Sequence, residues 1–279
     1  MTVPYTLLPP DHGASTDRWL KRFALVFVAA MGFSIGGSLL LKLFPASLAL
    51  FGAYYPTLVK GPTWTYMAIL PILPVLMYGP SAGWKTMGLA LLAGSAIGGA
   101  SELIGTTTGI PFGEYAYTFW LGPKILDHVP YFIPPSWFAM SIASYELAGR
   151  LTRSPISRIP LAAAFMVLWD VSLDPAMSRA FPFWTYPNGG VFFGMPLSNW
   201  AGWFGVSLVI MTAYAGLFRN RELFHEWTPV YYLLNGAFPL ALSLLYGLYG
   251  AVAFGVIATA LPLYLVAQSR TARPTPVLS

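Results

Sequence analysis

Cysteine is absent from this 279-residue chain, which excludes disulfides, thiolate metal sites and cysteine nucleophiles and leaves the redox compartment open. Charge is nearly as scarce. Only 9% of residues are Asp, Glu, Lys or Arg, against roughly a quarter in an ordinary soluble domain, so they cannot cover a soluble surface. The three histidines, His12, His128 and His225, stand far apart, and His225-Glu226 lacks the second histidine that a zinc-protease helix needs. No Gly-x-Gly-x-x-Gly, Walker loop or serine elbow occurs in a suitable context, which argues against nucleotide cofactors and serine hydrolysis. A metal would have to be held by carboxylates alone, whereas helical di-metal sites add Glu-x-x-His pairs. Neither a metal nor another cofactor is expected.

What remains is apolar. Hydrophobic residues make up 56% of the chain and the mean hydropathy is +0.62, so an all-α, polytopic membrane bundle is expected. At about 20 residues per span, the apolar runs predict eight helices near 22–43, 64–80, 85–105, 134–149, 158–176, 200–218, 230–248 and 250–267, with seven as the alternative count. Ala46–Val59, between Pro45 and a turn at Pro62, is short for a span and reads as re-entrant or interfacial. The net charge of +5 would suggest nucleic acid in a soluble protein, but here the basic residues fall between the apolar runs and report topology. With the N-terminus inside, Arg18, Lys21, Arg22, Lys85, Arg150, Arg153, Arg158, Arg219, Arg221, Arg270 and Arg273 are cytoplasmic, and Lys42, Lys60, Lys124 and Arg179 are not. That asymmetry supports cytoplasmic N- and C-termini. A multi-pass protein of the cytoplasmic (inner) membrane is expected, with a tail at 1–17, one transmembrane catalytic domain at 18–269 and a second tail at 270–279. No partner of nucleic acid is expected; lipid surrounds the chain.

Three carboxyl groups interrupt this pattern. Glu102 follows an apolar run from Lys85 to Ser101, so it lies inside or at the lip of a span, where a carboxylate is costly. After it, Gly105, Gly109, Pro111 and Gly113 end the helix, and Phe112, Tyr115, Tyr117, Phe119 and Trp120 form a dense aromatic stretch. Asp170 and Asp174 sit four residues apart, on one face of a helix that also ends just beyond them. Mutual repulsion, the helix dipole and burial each disfavour their ionisation. The ordinary alternative is that each carboxyl caps a loop amide or pairs with Lys124 or Arg179. Glu146 reads as an ion pair with Arg150 on the next turn. The loops at 106–133 and 177–199, both assigned to the outer side, share a glycine-, proline- and aromatic-rich texture and are too long to be mere connections.

Taken together, Glu102-x-x-Gly105 leading to Gly109-x-Pro111-Phe112-Gly113-x-Tyr115-x-Tyr117, then Trp169-Asp170 with Asp174-Pro175, then Gly194-Met195-Pro196-Leu197-x-Asn199-Trp200-x-Gly202-Trp203, resemble the carotenoid-biosynthesis family that contains CruF-type carotenoid 1,2-hydratases and archaeal bisanhydrobacterioruberin hydratases. The resemblance covers about 85–205. It implies cofactor-independent addition of water to the terminal C1=C2 bond of an acyclic (ψ) carotenoid end, giving a tertiary alcohol; other carotenoid-pathway enzymes are then candidate partners. Such chemistry needs a proton for C2, a tertiary cation at C1 and a water to capture it. Asp174 or its neighbour Asp170 is the first choice as acid, and Glu102 as the group that orients or deprotonates the water. Tyr115, Tyr117, Trp169, Trp184 and Trp200 offer ring faces to the cation, worth about 2 kcal/mol each when dry; Asn199 can hold the water, and Phe112 and Glu114 complete the set. Two rival readings stand: another membrane isoprenoid enzyme, a cyclase or isomerase, and a non-enzymatic carotenoid or lipid carrier.

Overall fold

A computed structural model describes residues 14–221 and 223–271. Helices α1 (Ala14–Leu43), α2 (Ser47–Phe51), α3 (Tyr55–Ile69), α4 (Ile72–Ala82) and α5 (Trp84–Thr108) precede the first long loop. Helices α6 (Ile133–Leu151), α7 (Pro155–Pro175), α8 (Leu197–Leu217), α9 (Thr228–Leu245) and α10 (Tyr249–Thr271) follow it. The loops hold four two-residue strands, β1 (Ala116–Tyr117), β2 (Lys124–Ile125), β3 (Val129–Pro130) and β4 (Trp184–Thr185). The chain is thus an all-α polytopic membrane bundle. Each of the eight expected spans coincides with a long helical segment, α3 and α4 together making the second.

Seven of these segments are long and apolar enough to cross a membrane; the eighth, α6, has a different environment. Every residue from Trp137 to Ala148 is buried, because α6 is enclosed by α4, α5, α7, α8, α9 and α10. A helix that touches protein on all sides needs no lipid-soluble face. It can carry Ser141, Ser144 and Glu146, and its hydropathy falls accordingly. Glu146 pairs with Arg150 at 2.7 Å.

Ala46–Val59 divides differently from the re-entrant or interfacial segment expected from its length. Ser47–Phe51 forms the short α2, none of it buried, but Tyr55–Val59 is the first part of α3. Pro62 lies inside α3 and does not end it: a proline removes one helical hydrogen bond, and the neighbouring turns hold. The break comes later, at Leu70–Pro71, between α3 and α4.

Close approach between helices sets their directions. A Cβ at Gly94 would strike Phe138, one at Gly98 would strike Trp137, and one at Gly99 would strike Pro134, so α5 and α6 run antiparallel with their backbones pressed together. At one end of the bundle Arg158 Nε donates to Tyr145 O (3.0 Å), Arg221 Nη1 to Ala82 O (2.5 Å) and Arg150 to Glu146. At the other end α5 and α7 finish and the two long loops begin. Lys42, closing α1, donates to Leu245 O at the end of α9, and Phe192 of the second loop packs on Phe254 near the start of α10. Ala14 and Thr271 therefore share the arginine-rich end. Reporter fusions at the C-terminus and within 187–191 should accordingly register on opposite sides of the membrane, the C-terminus inside; a C-terminal fusion registering outside would reverse the orientation.

Candidate active site

The site is built where α5 ends. Gly109 takes a left-handed conformation (φ +76°), open to glycine at little cost, and its N–H closes the helix on Gly105 O. The chain then turns back, and Phe112 wedges between Gly105 of α5 and Gly202 of α8, where any Cβ would collide with its ring. That return carries two tyrosines under the last turns of α5. Glu102, 4% exposed, accepts hydrogen bonds from Tyr115 OH and from Tyr117 OH (2.8 Å) on Oε2, and from Trp137 Nε1 (2.9 Å) on Oε1. Among the described residues no cation pairs with it: Lys124 Nζ donates instead to Tyr117 O, and Arg179 Nε to Phe193 O.

Helix α7 supplies the second part. It does not stop at Pro175 but widens into a π-helical turn, Ala176–Ala180, a feature that often marks functional sites; Ser178 Oγ caps it by donating to Asp174 O (2.8 Å). Asp174, 1% exposed, accepts from Trp184 Nε1 (3.3 Å) on Oδ1, and from Tyr186 OH (2.5 Å) and Asn199 Nδ2 (3.2 Å) on Oδ2. Asp170, also 1% exposed, accepts from the same Asn199 Nδ2 (3.1 Å), on Oδ2, and the buried indole N–H of Trp200 bears on the same carboxyl. One buried amide from the first turn of α8 thus ties both aspartates together.

The two long loops form one ribbon over these groups. Strands β1 and β4 pair antiparallel, with Tyr117 opposite Trp184. Because side chains alternate along a strand, Tyr115 and Tyr117 share a face, as do Trp184 and Tyr186, and those faces meet the carboxyls. The halves correspond: a helix ending after a carboxyl, a reversal, then two aromatic donors spaced two apart. Burial, and next the carboxylates beside them, push the Tyr115, Tyr117 and Tyr186 hydroxyls above the usual tyrosine range, so they remain protonated donors.

Glu102, Asp170 and Asp174 line one cavity of about 590 Å³, together with Phe112, Tyr115, Tyr117, Trp169, Trp184 and Asn199. Two residues named from the sequence lie elsewhere. Glu114 is exposed and accepts from Asn188 Nδ2 (2.7 Å), and Trp200 packs on Phe192 (centroids 4.8 Å) outside the cavity lining. Among the other lining residues are Trp137, Trp203 and Tyr186, to which the sequence reading gives no role. Trp203 stacks on Trp137 at 4.3 Å and meets Trp169 edge-on at 5.8 Å. For Tyr186 there was a signal, the Trp184-x-Tyr186 spacing that repeats Tyr115-x-Tyr117. Among the described residues no three His, Asp or Glu side chains are grouped as metal ligands would be. The arrangement offers two carboxyls that each accept from three neutral donors, a third with fewer, and indole rings in a mostly apolar cavity.

Comparison with known proteins gives two matches. The sequence model of a family described as "Carotenoid biosynthesis protein" matches residues 63–262. A protein of Haloarcula japonica named bisanhydrobacterioruberin hydratase is 37% identical over 123 residues, which span 43% of this chain and 41% of that relative. No solved structure matches the chain.

Proposed function

The chain belongs to the carotenoid biosynthesis protein family, and from that membership we propose that it is a carotenoid hydratase, adding water across the terminal C1=C2 bond of an acyclic carotenoid end to give a tertiary alcohol. The observation that carries the reading is the cavity: its wall is mostly apolar and brings together three buried carboxyls, Glu102, Asp170 and Asp174.

Hydrogen bonding supports a division of roles. A carboxylate is an acceptor only, and a carboxyl surrounded by donors holds its charge. Glu102 and Asp174 each accept three such bonds. Asp170 has fewer, Asn199 and the indole of Trp200, and lies beside the charge of Asp174. The proton of the pair therefore rests on Asp170, which takes the acid's part ahead of Asp174. Asp170 protonates C2; the electron pair of the double bond forms the new C–H bond, and a tertiary cation appears at C1. The faces of Trp169, Trp184 and Trp203 stabilise it, each by about 2 kcal/mol in a dry site. Water attacks C1 and loses a proton to Glu102, whose Oε1 accepts one bond and has a second lone pair. Return of that proton to Asp170 closes the cycle, with no net change except water added to the alkene.

Expression in cells that accumulate lycopene tests the reading. A pigment heavier by one water, or by two where both ends react, is the expected product. A new pigment of unchanged mass would favour a cyclase or isomerase, in which the same cation loses a proton; lycopene left unaltered would favour a carrier.

A further inference from the structure

The cavity does not end at the catalytic groups. It continues from Asp170 past Trp169 and Tyr66 to a wall made by Phe33, Gly36, Gly37 and Leu40 of α1, Phe51 of α2 and Leu58 of α3. Of these Phe33 is 53%, Leu40 41%, Phe51 37% and Leu58 36% exposed; they lie on the outside of the bundle, Phe33, Leu40 and Leu58 in segments long and apolar enough to span and Phe51 at the end of the short α2. Gly36 and Gly37 form the part of that wall with no side chain. Glycine inside a helix costs about 1 kcal/mol relative to alanine, usually in return for close packing, as at Gly94, Gly98 and Gly236, where a Cβ would collide with a neighbour. At Gly36 and Gly37 a Cβ would meet nothing within 4 Å. The same holds at several glycines away from the cavity, so what counts is their place on its wall. At the inner end of the passage stands Asp170, buried.

Resting on the hydratase reading, we propose that this opening between α1 and α2–α3 is a lateral slot through which the conjugated chain of the substrate crosses the bundle wall. One end of the molecule lies beside Asp170 and the remainder stays in the bilayer. The chemical fit is specific. A polyene is long, thin, apolar and without hydrogen-bonding groups, so it can lie along bare glycine backbone and exposed Phe and Leu side chains, while a lipid headgroup could not pass them. The protein then reads the acyclic end and not the far one. Gly36 and Gly37 set the width of the slot and so the thickness of chain admitted.

The absence of cysteine makes a direct test available. Gly36→Cys provides a single thiol on the slot, and Ala267→Cys, exposed on α10 away from it, a control. Each is labelled with a bulky maleimide. Binding is read from quenching of tryptophan fluorescence by a full-length carotenoid with an acyclic end, and turnover is read separately with that carotenoid and with a short isoprenoid alkene bearing the same end. The label at Gly36 should weaken binding and kcat/KM for the carotenoid by about 10- to 200-fold, the range over which apolar pockets discriminate, and leave the short alkene unaffected. Gly37→Leu should do the same without a label. Unchanged carotenoid binding in both variants, or equal loss for both substrates with the protein folded, would overturn the slot. Slot-dependent quenching without any alcohol formed would uphold the slot and reject hydration.

Discussion

Asp170→Asn should lower turnover by about 10²–10⁴-fold, the contribution of a positioned general acid, while binding of the carotenoid is retained. The amide keeps the size of the carboxyl and still accepts from Asn199 Nδ2, as Asp170 does, but has no acidic proton to give to C2. Asp174→Asn acts by another route. It places a neutral amide among Trp184, Tyr186 and Asn199, all of which donate to Asp174, so its new amide nitrogen would face a donor and its effect falls on the positioning of Tyr186 and Asn199; turnover should fall less than in Asp170→Asn. Turnover lower in Asp174→Asn than in Asp170→Asn would contradict the division of roles, as would near-normal turnover in Asp170→Asn.

The second large effect is expected at Glu102. Glu102→Gln should reduce turnover by at least ~10²-fold, the loss typical of a general base, and the new amide nitrogen would have to face a hydroxyl or the indole of Trp137. Tyr117→Phe leaves the carboxylate in place with one donor fewer and should be milder, on the order of 10-fold, since one hydrogen bond to a charged group contributes about 1.5–3 kcal/mol and Tyr115 and Trp137 remain. Thermal unfolding in detergent separates catalytic from structural loss. If Glu102→Gln retained turnover while lowering the unfolding midpoint, Glu102 would be a structural anchor for the first loop, and the base would have to be found elsewhere.

Much of this site is legible in the amino-acid order, for a physical reason. Charge inside an apolar span is rare because it is costly, so Glu102, Asp170 and Asp174 stand out on composition alone, and Tyr115 and Tyr117 follow from the glycine-punctuated turn beside Glu102. The spans are equally plain because lipid demands apolar faces. Trp137 and Trp203 are not legible in this way: in a chain that is 16% aromatic, a tryptophan on a helix looks like core. The pairing of Tyr117 with Trp184 joins loops far apart in sequence, and local composition carries no record of such a contact beyond the shared two-residue spacing of aromatics. Helix α6 was placed by its apolar run, yet its central position was not, since a helix buried in protein and one facing lipid differ only in a few serines. The choice between Asp170 and Asp174 as acid depends on counting donors around each oxygen, which requires coordinates.

Purified protein in detergent, given an acyclic-ended carotenoid in ¹⁸O-labelled water or in D₂O, tests the central claim most directly. Protonation at C2 followed by capture of water predicts one ¹⁸O in the new hydroxyl, one deuterium at C2, and an unchanged rate under chelators and without O₂. Oxygen drawn from O₂, or activity abolished by chelation and restored by a metal, would contradict it.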